Sequence, residues 1–320
     1  MTTIGEAPPV ELRSGDAEAV EEEMRTRAGI TEKPGLLRIY LALMKPKIIV
    51  LLLITTASSM MVAAGGLPNL RIFFWTLIGG TLSAGGANAL NHFFDRDIDY
   101  YMYRTKRRPL PSGWISPRSA VLFGLALCAL AFTVFTLQVN LLAAVLSLIG
   151  ALYYIIIYTL WLKRRTPHNI TIGGLAGAIP PLVGWAAVTG SLAPTAWALF
   201  AIVFFWTPPH TWALTLMVKK DYARADVPML PVVVGEEETR RQILIYSWLF
   251  VAVTLLPVLL GMFSWVYLAV ALVTGAIHMA DAYRIRRERT NASARSLYKY
   301  SLLHLALLFL AMVVDARLLG

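Results

Sequence analysis

The sequence predicts an all-α membrane protein, with nine transmembrane helices bundled around a central cavity open to the cytoplasmic side. Three observations carry that expectation. Of 320 residues, 57% are hydrophobic and only 15% charged, whereas soluble domains average about 25% charged residues. Apolar runs recur through the chain, each close to the roughly 20 residues that cross a bilayer as a helix. The basic residues behind the formal net charge of +10 gather in alternate loops, a pattern of membrane topology rather than of nucleic-acid binding.

In chain order, residues 1–35 differ from everything after them. Glu6, Glu11, Asp16, Glu18, Glu21, Glu22, Glu23 and Glu32 stand there with few large apolar residues. Such a composition cannot bury a core, so a disordered acidic cytoplasmic tail is expected, followed by one polytopic domain over 36–320. The tail has neither the apolar segment of a secretory signal nor the Arg-rich, acid-poor character of a transit peptide, and a bacterial inner membrane is the expected location. Spanning helices are expected at 48–65, 72–94, 118–137, 141–161, 170–190, 195–217, 243–262, 264–283 and 300–318. The pair 243–262 and 264–283, divided at Phe263-Ser264-Trp265, reads as a tight helical hairpin.

The loops orient these spans. Arg96, Arg104, Lys106, Arg107, Arg108 and Arg118 follow the second, Lys163, Arg164 and Arg165 the fourth. Lys219, Lys220, Arg224, Arg240 and Arg241 follow the sixth, and a further basic loop follows the eighth. The intervening loops are nearly uncharged, Arg71 excepted. That asymmetry places the N-terminus inside and the C-terminus outside. Pro180-Pro181 and Pro208-Pro209 fall within spans and are expected to kink or break them. Gly173, Gly174, Gly177 and Gly184 make a small-residue stripe suited to close helix packing. The single cysteine, Cys128, lies in an apolar run and reads as a small buried hydrophobe.

The chemistry concentrates where the second span ends, in Asn91-His92-Phe93-Phe94-Asp95-Arg96-Asp97-Ile98-Asp99. On a helix, Asn91, Asp95 and Asp99 line one face about 6 Å apart along the axis. One amide and two carboxylates in a column offer oxygen to a hard cation such as Mg²⁺. Asp97 points away from them and reads as a salt-bridge partner for a neighbouring arginine. Ionisable residues at a membrane boundary are costly and mark function by default. The cations of Arg104-Thr105-Lys106-Arg107-Arg108-Pro109-Leu110-Pro111-Ser112-Gly113 sit in a non-helical segment that can fold back over the column. Asp221, following the sixth span as Asp95 follows the second, is the candidate second metal ligand, with Asp226 a weaker one. Trp206-Thr207-Pro208-Pro209-His210 sets an imidazole beside a proline break between aromatics, which suggests a cavity wall. Together these describe a metal–diphosphate site under an apolar cavity, where cations stabilise a departing diphosphate and exclusion of water protects a carbocation.

The sequence resembles the intramembrane prenyltransferases of the 4-hydroxybenzoate polyprenyltransferase superfamily. Asn91-x-x-x-Asp95-x-x-x-Asp99 and the aspartate after the sixth span carry the likeness. Within the superfamily it looks most like the branch that farnesylates haem b. That closer likeness rests on Asn91 to Gly113; Thr166-Pro167-His168-Asn169 with Gly173 to Gly190; Trp206 to His210; and Asp221-Tyr222 through Pro228-Met229-Leu230-Pro231. The resemblance implies farnesyl transfer from farnesyl diphosphate to a haem b vinyl group, with water completing the addition to give haem O. It implies that Asn91, Asp95, Asp99 and Asp221 hold Mg²⁺ and the diphosphate, that Lys45, Arg104, Arg108 and Lys220 neutralise it, and that His210 lies near the haem. Haem A synthase or a terminal oxidase is the implied downstream partner. Two positions depart from the family pattern: Thr211, usually aromatic, and Asp226, often glycine. The competing readings are a prenyltransferase for an aromatic acceptor of quinone pathways, a membrane transporter, and a non-catalytic oxidase assembly factor.

Overall fold

The computed structural model describes residues 33–319, and among these every regular element is helical. The acidic tail expected over 1–35 therefore lies almost wholly outside the described residues. A short helix α1 (Leu36–Met44) leads into α2 (Pro46–Ala63), with Pro46 at the first helical position, where its missing N–H costs nothing. Then come α3 (Leu70–Phe94), the short α4 (Arg96–Tyr101), α5 (Pro117–Gln138) and α6 (Leu141–Leu152). Helix α6 continues as a π-helical stretch, Tyr153–Trp161, and one 3₁₀ turn, Leu162–Arg164. Next are α7 (Asn169–Thr189), α8 (Pro194–Met217), α9 (Lys219–Arg224), α10 (Leu230–Val233), α11 (Gly235–Leu259), α12 (Trp265–Glu288) and α13 (Asn291–Leu319).

Among the described residues, eight helices are long and apolar enough to cross a membrane, counting α6 with its extension as one; they are α2, α5, α6, α7, α8, α11, α12 and α13. The chain is a multi-pass membrane protein. Helix α3, the other expected span, has 25 residues, but four glycines with Asn88, Asn91 and His92 dilute its apolar character. The last helices extend beyond the expected spans. Helix α11 starts at Gly235, so Glu236, Glu237 and Glu238 occupy its first turn, where the helix dipole favours negative charge. The expected hairpin between α11 and α12 is present. Ser264 caps α12 by accepting from the Val266 N–H, and its own N–H and hydroxyl donate to the buried carboxylate of Asp315 on α13.

Each long helix packs on the next, and α13 returns to α2, closing the bundle. The prolines do not break their helices: α7 runs through Pro180-Pro181 and α8 through Pro208-Pro209 as continuous α-helix. Ser59 Oγ donates to the Pro181 carbonyl at 2.6 Å, joining α2 to α7 beside the Pro180-Pro181 pair, and Thr207 Oγ1 donates to the Val203 carbonyl within α8 at 2.9 Å. The glycine stripe of α7 divides in two. At Gly184 a Cβ would stand 2.3 Å from the Thr56 carbonyl oxygen, so this glycine is what lets α7 and α2 meet backbone to backbone. At Gly177 a Cβ would meet nothing within 4 Å, because that residue borders a cavity.

Candidate active site

The cavity, about 360 Å³, lies between α2, α3, α6, α7 and α8. Helices α11 to α13 line none of it, so it belongs to the N-terminal part of the bundle rather than to the centre of all nine long helices. Its walls are mainly apolar: Ile48, Leu52, Leu53, Ile170, Ile179 and Val183, with Gly177 leaving open space along α7, while Gly173 and Gly174 admit the Tyr158 ring and Thr207 against that helix. Tyr154 and Tyr158, from the π-helical stretch, face it as a stacked pair with ring centroids 5.6 Å apart. Asn88 lines it one helical turn before the metal-capable column. Thr211 lines it too, so the departure from the family's aromatic residue falls on the cavity wall.

The column forms as expected, across a local bend. Helix α3 stops at Phe94 and α4 starts at Arg96, with Asp95 between them at φ −91°, ψ 2°. The i,i+4 ladder continues through the bend, since the Asp95 N–H donates to the Asn91 carbonyl at 2.9 Å and the Asp99 N–H to the Asp95 carbonyl at 2.8 Å. Asn91, Asp95 and Asp99 are only 2%, 0% and 1% exposed. Asn91 Nδ2 donates to Asp95 Oδ2 at 2.8 Å and to Thr159 Oγ1 at 3.0 Å.

Three cations close on this column. Lys45 Nζ donates to Asn91 Oδ1 at 2.5 Å. Lys163 Nζ reaches Asp95 Oδ2, also at 2.5 Å. Arg108 Nη1 bonds both Asp99 oxygens, at 2.7 and 2.9 Å. Lys45 holds a left-handed backbone, φ 57°, ψ 62°, between α1 and α2. Such a conformation is unfavourable for a side-chain-bearing residue, and such strain clusters at functional sites. Withdrawal from water, with the Arg108 guanidinium close by, pushes the Lys45 ammonium down to about 7, against the opposing pull of Asp95. Two carboxylates face three basic side chains in a buried place, and a bound polyanion would keep all three protonated and balance their surplus charge.

Asp97 stands apart from the column and pairs with Arg164 at 2.7 Å. The hydrogen bond from that guanidinium holds its carboxyl down at about 2. Arg164 Nη2 also donates to the Phe94 carbonyl at 2.6 Å, tying the end of α3 to the 3₁₀ turn after α6.

Asp221 lies in α9, which follows α8 after a bend at Val218 much as α4 follows α3. Its Oδ2 accepts from the Arg104 backbone N–H at 3.1 Å, and Arg224 approaches Oδ1 at 3.6 Å. The two segments that follow α3 and α8 therefore meet, but through the Arg104 backbone. Arg104 and Lys220 are themselves exposed, and no hydrogen bond or ion pair joins their charged groups to the column among the described residues. Likewise, no three His, Cys, Asp or Glu side chains converge as a metal-sized cluster among the described residues. Asp221 is not gathered with Asp95 and Asp99 into one carboxylate centre.

His210 departs from the cavity-wall expectation. Because α8 continues through the prolines, Thr207 and Thr211 face the cavity and His210 faces α13. There its ring stacks between Trp206, 4.2 Å away, and Tyr298, 4.7 Å away, and its Nδ1 pairs with Ser301 Oγ at 2.7 Å.

Asp226 has φ 50°, in the left-handed region where glycine is at no disadvantage. That explains a preference for glycine here: the position closes the turn after α9. Asp226→Gly should leave turnover unchanged and stability within about 1 kcal/mol, while Asp226→Val should cost about 1–2 kcal/mol, checked by thermal unfolding in detergent.

Thr159, Lys163, Tyr154 and Tyr158 are the site residues that sequence reasoning missed. Lys163 reads in the sequence as one of three loop cations, and the tyrosines as residues of an apolar span. The π-helical stretch sets their directions, and no sequence period announces it.

Similarity to known proteins follows this geometry. The UbiA prenyltransferase family is matched over residues 52–311, and the chain belongs to that family. Among curated relatives, the protoheme IX farnesyltransferase of Roseiflexus sp. is 55% identical over 295 residues, covering 90% of this chain and 55% of the relative. The enzyme of that name from Synechocystis sp. is 51% identical over 279 residues, covering 87% of this chain and 88% of the relative. The chain thus spans about half the length of the Roseiflexus relatives it matches. Among solved structures, a digeranylgeranylglyceryl phosphate synthase superimposes with a TM-score of 0.73 at 21% identity, over 88% of this chain and 98% of that one. A UbiA homolog from Archaeoglobus fulgidus bound to DMAPP and Mg²⁺ gives 0.58 at 17% identity, over 86% and 99%. These two share the fold.

Proposed function

We propose that this protein transfers the farnesyl group of farnesyl diphosphate to a vinyl group of haem b, giving haem O and diphosphate. The observation that carries this reading is the junction of two unlike environments on α3. Asn88 borders an apolar cavity, and Asn91, one turn later, belongs to a buried cluster with surplus positive charge. A diphosphate head on a hydrocarbon tail suits that junction. The names borne by the curated relatives supply farnesyl and haem as the particular donor and acceptor.

Lys45, Lys163 and Arg108 would bind the diphosphate oxygens, arginine through paired donors and lysine as a point charge. The residues also fit a hard cation, because Asp95 Oδ1 is fully buried and lacks a hydrogen-bond partner among the described residues. Asn91, Asp95 and Asp99 would hold Mg²⁺, and Asp221 would join them only by turning from the Arg104 N–H that it now accepts from. Bound there, Mg²⁺ supplies charge neutralisation for the leaving diphosphate. The C1–O bond of the donor breaks with its electron pair leaving on diphosphate. The vinyl π electrons form the new bond to C1, water captures the resulting porphyrin-stabilised cation, and one proton is released. The paired rings of Tyr154 and Tyr158 offer π faces to the allylic cation, and the apolar walls keep water from it prematurely. The alternation of basic and uncharged loops supports a bacterial inner-membrane setting with this mouth on the cytoplasmic side. Product would pass onward to a haem A synthase or a terminal oxidase.

The test is to incubate purified protein with haem b, farnesyl diphosphate and Mg²⁺ and to follow the porphyrin by mass. The expected product gains one farnesyl and one hydroxyl group. Prenylation of an aromatic acid instead of haem would overturn the acceptor, and the lack of Mg²⁺-dependent turnover with any acceptor would overturn the enzymatic reading.

A further inference from the structure

The cavity ends inside the bundle, and packing there sets its length. From Asn88 back to Gly80 on α3, and from Ile48 to Thr56 on α2, it follows about 12 Å of helix. Helix α7 lines it further, from Ile170, but Ile170 belongs with Ile98 and Met102 to the buried cluster beside α4, on the mouth side of Asn88. Beyond the far end, the next turn of each helix is filled. Met60 follows Thr56 on α2, Ala143 and Ala144 precede Ser147 on α6, and Ala187 follows Val183 on α7, all in one buried apolar cluster with Phe135. On α3 the adjoining residue is Gly79, where a Cβ would stand 2.8 Å from the Phe135 ring. Ser147 Oγ donates to Ser83 Oγ at 2.9 Å, tying α6 to α3 just short of this end. Gly80 and Leu53 face each other across it, since a Cβ on Gly80 would stand 3.3 Å from Leu53 Cδ2.

Size decides what such a blind end can do. At about 360 Å³ the cavity lies near the lower limit of ligand sites, which run from roughly 300 to 1,000 Å³, so it takes one slender chain and not a chain with a porphyrin beside it. An extended carbon chain advances about 1.2 Å per bond, which gives about 8 Å for a geranyl backbone, about 13 Å for farnesyl and about 18 Å for geranylgeranyl. With C1 held at the polar cluster, one turn from Asn88, the third isoprene unit reaches the level of Gly80. A fourth would have to enter the packed cluster around Phe135. We infer that the Gly80–Leu53 end gauges the length of the donor, so that these two residues determine specificity for a fifteen-carbon chain. The inference rests on the reading of this cavity and its polar cluster as a prenyl diphosphate site. A shorter chain forfeits apolar burial at the far end, and a longer one overpacks a close-packed interior.

The experiment titrates unreactive thiolodiphosphates bearing geranyl, farnesyl and geranylgeranyl chains into the full-length protein in nanodiscs with Mg²⁺, by calorimetry. The farnesyl compound is expected to bind tightest, by about 10-fold or more over both others. Gly80→Val, which fills the end, is expected to weaken farnesyl binding about 10- to 100-fold while geranyl binding changes by less than about threefold. Leu53→Ala, which opens the end, is expected to bring geranylgeranyl binding level with farnesyl. If Gly80→Val does not accumulate in the membrane, Gly80→Ala makes the same comparison with a smaller shift. Geranylgeranyl binding as tight as farnesyl in the unaltered protein, or equal weakening of geranyl and farnesyl by the Gly80 variant, overturns the gauge. Should the length series appear while haem b is not farnesylated, the proposed activity fails and the gauge stands. Farnesylation of haem b with no length series gives the reverse.

Discussion

Asp95→Asn is expected to lower the proposed farnesyl transfer by about 10²- to 10³-fold or more, with the protein still inserting in the membrane, and Asp95→Ala to abolish it. Asp95 is the node of the cluster: one oxygen takes both Lys163 and the Asn91 amide, and the other is buried and open. Asparagine keeps the shape and one acceptor but removes the charge that holds Lys163 and would hold a cation. Alanine goes further, leaving Lys163, with its side chain only 11% exposed, without a partner. Breaking a buried pair in that way costs about 3–5 kcal/mol, so Asp95→Ala should also show a lower unfolding temperature. Membrane-fraction yield and thermal unfolding separate that loss from the loss of turnover. Substantial activity in the asparagine variant would remove Asp95 from the site. Asp97→Asn, which breaks only a half-exposed pair with Arg164, provides the neighbouring control and should retain most of the activity.

The largest effect on stability is expected at Gly184. Its substitution by leucine places a Cβ against the Thr56 carbonyl oxygen, where backbone stands on both sides and neither can turn aside. The helices must separate, which disturbs the Ser59–Pro181 hydrogen bond and the contact along α2 and α7. Overpacking of this kind costs about 1–3 kcal/mol where side chains can adjust, and a backbone contact should lie at or above the top of that range. Gly177→Leu, one of the same stripe, should leave the unfolding temperature unchanged and reduce turnover, because its side chain enters the cavity instead of a neighbouring helix. Equal destabilisation by the two substitutions would refute the division of the stripe into a packing part and a cavity part.

The contrast between these glycines also marks where sequence reasoning ends. The stripe on α7 is legible as small residues on one helix, but whether each gap receives a backbone, a ring or a substrate depends on the partner helix. The same limit applies to the prolines of α8. Proline chemistry argues for a break, and the helix nevertheless continues within the packed bundle. That continuity turns His210 toward Ser301 and gives the cavity face to Thr207 and Thr211.

The sequence by itself determined the helical membrane architecture and the column of Asn91, Asp95 and Asp99. Both follow from local periodicity: apolar runs of bilayer length, and a spacing of four residues that sets side chains on one helical face. It also separated Asp97 from that column by the same angular argument. Only the tertiary structure decided which cations meet the column. Lys163 and Lys45 approach from other helices, one by way of a π-helical stretch and the other from a strained left-handed residue, and neither direction is encoded in a periodic pattern. Asp221 faces the Arg104 backbone for the same reason: contacts between helices are set by how they pack, and a local spacing rule carries no information across that distance.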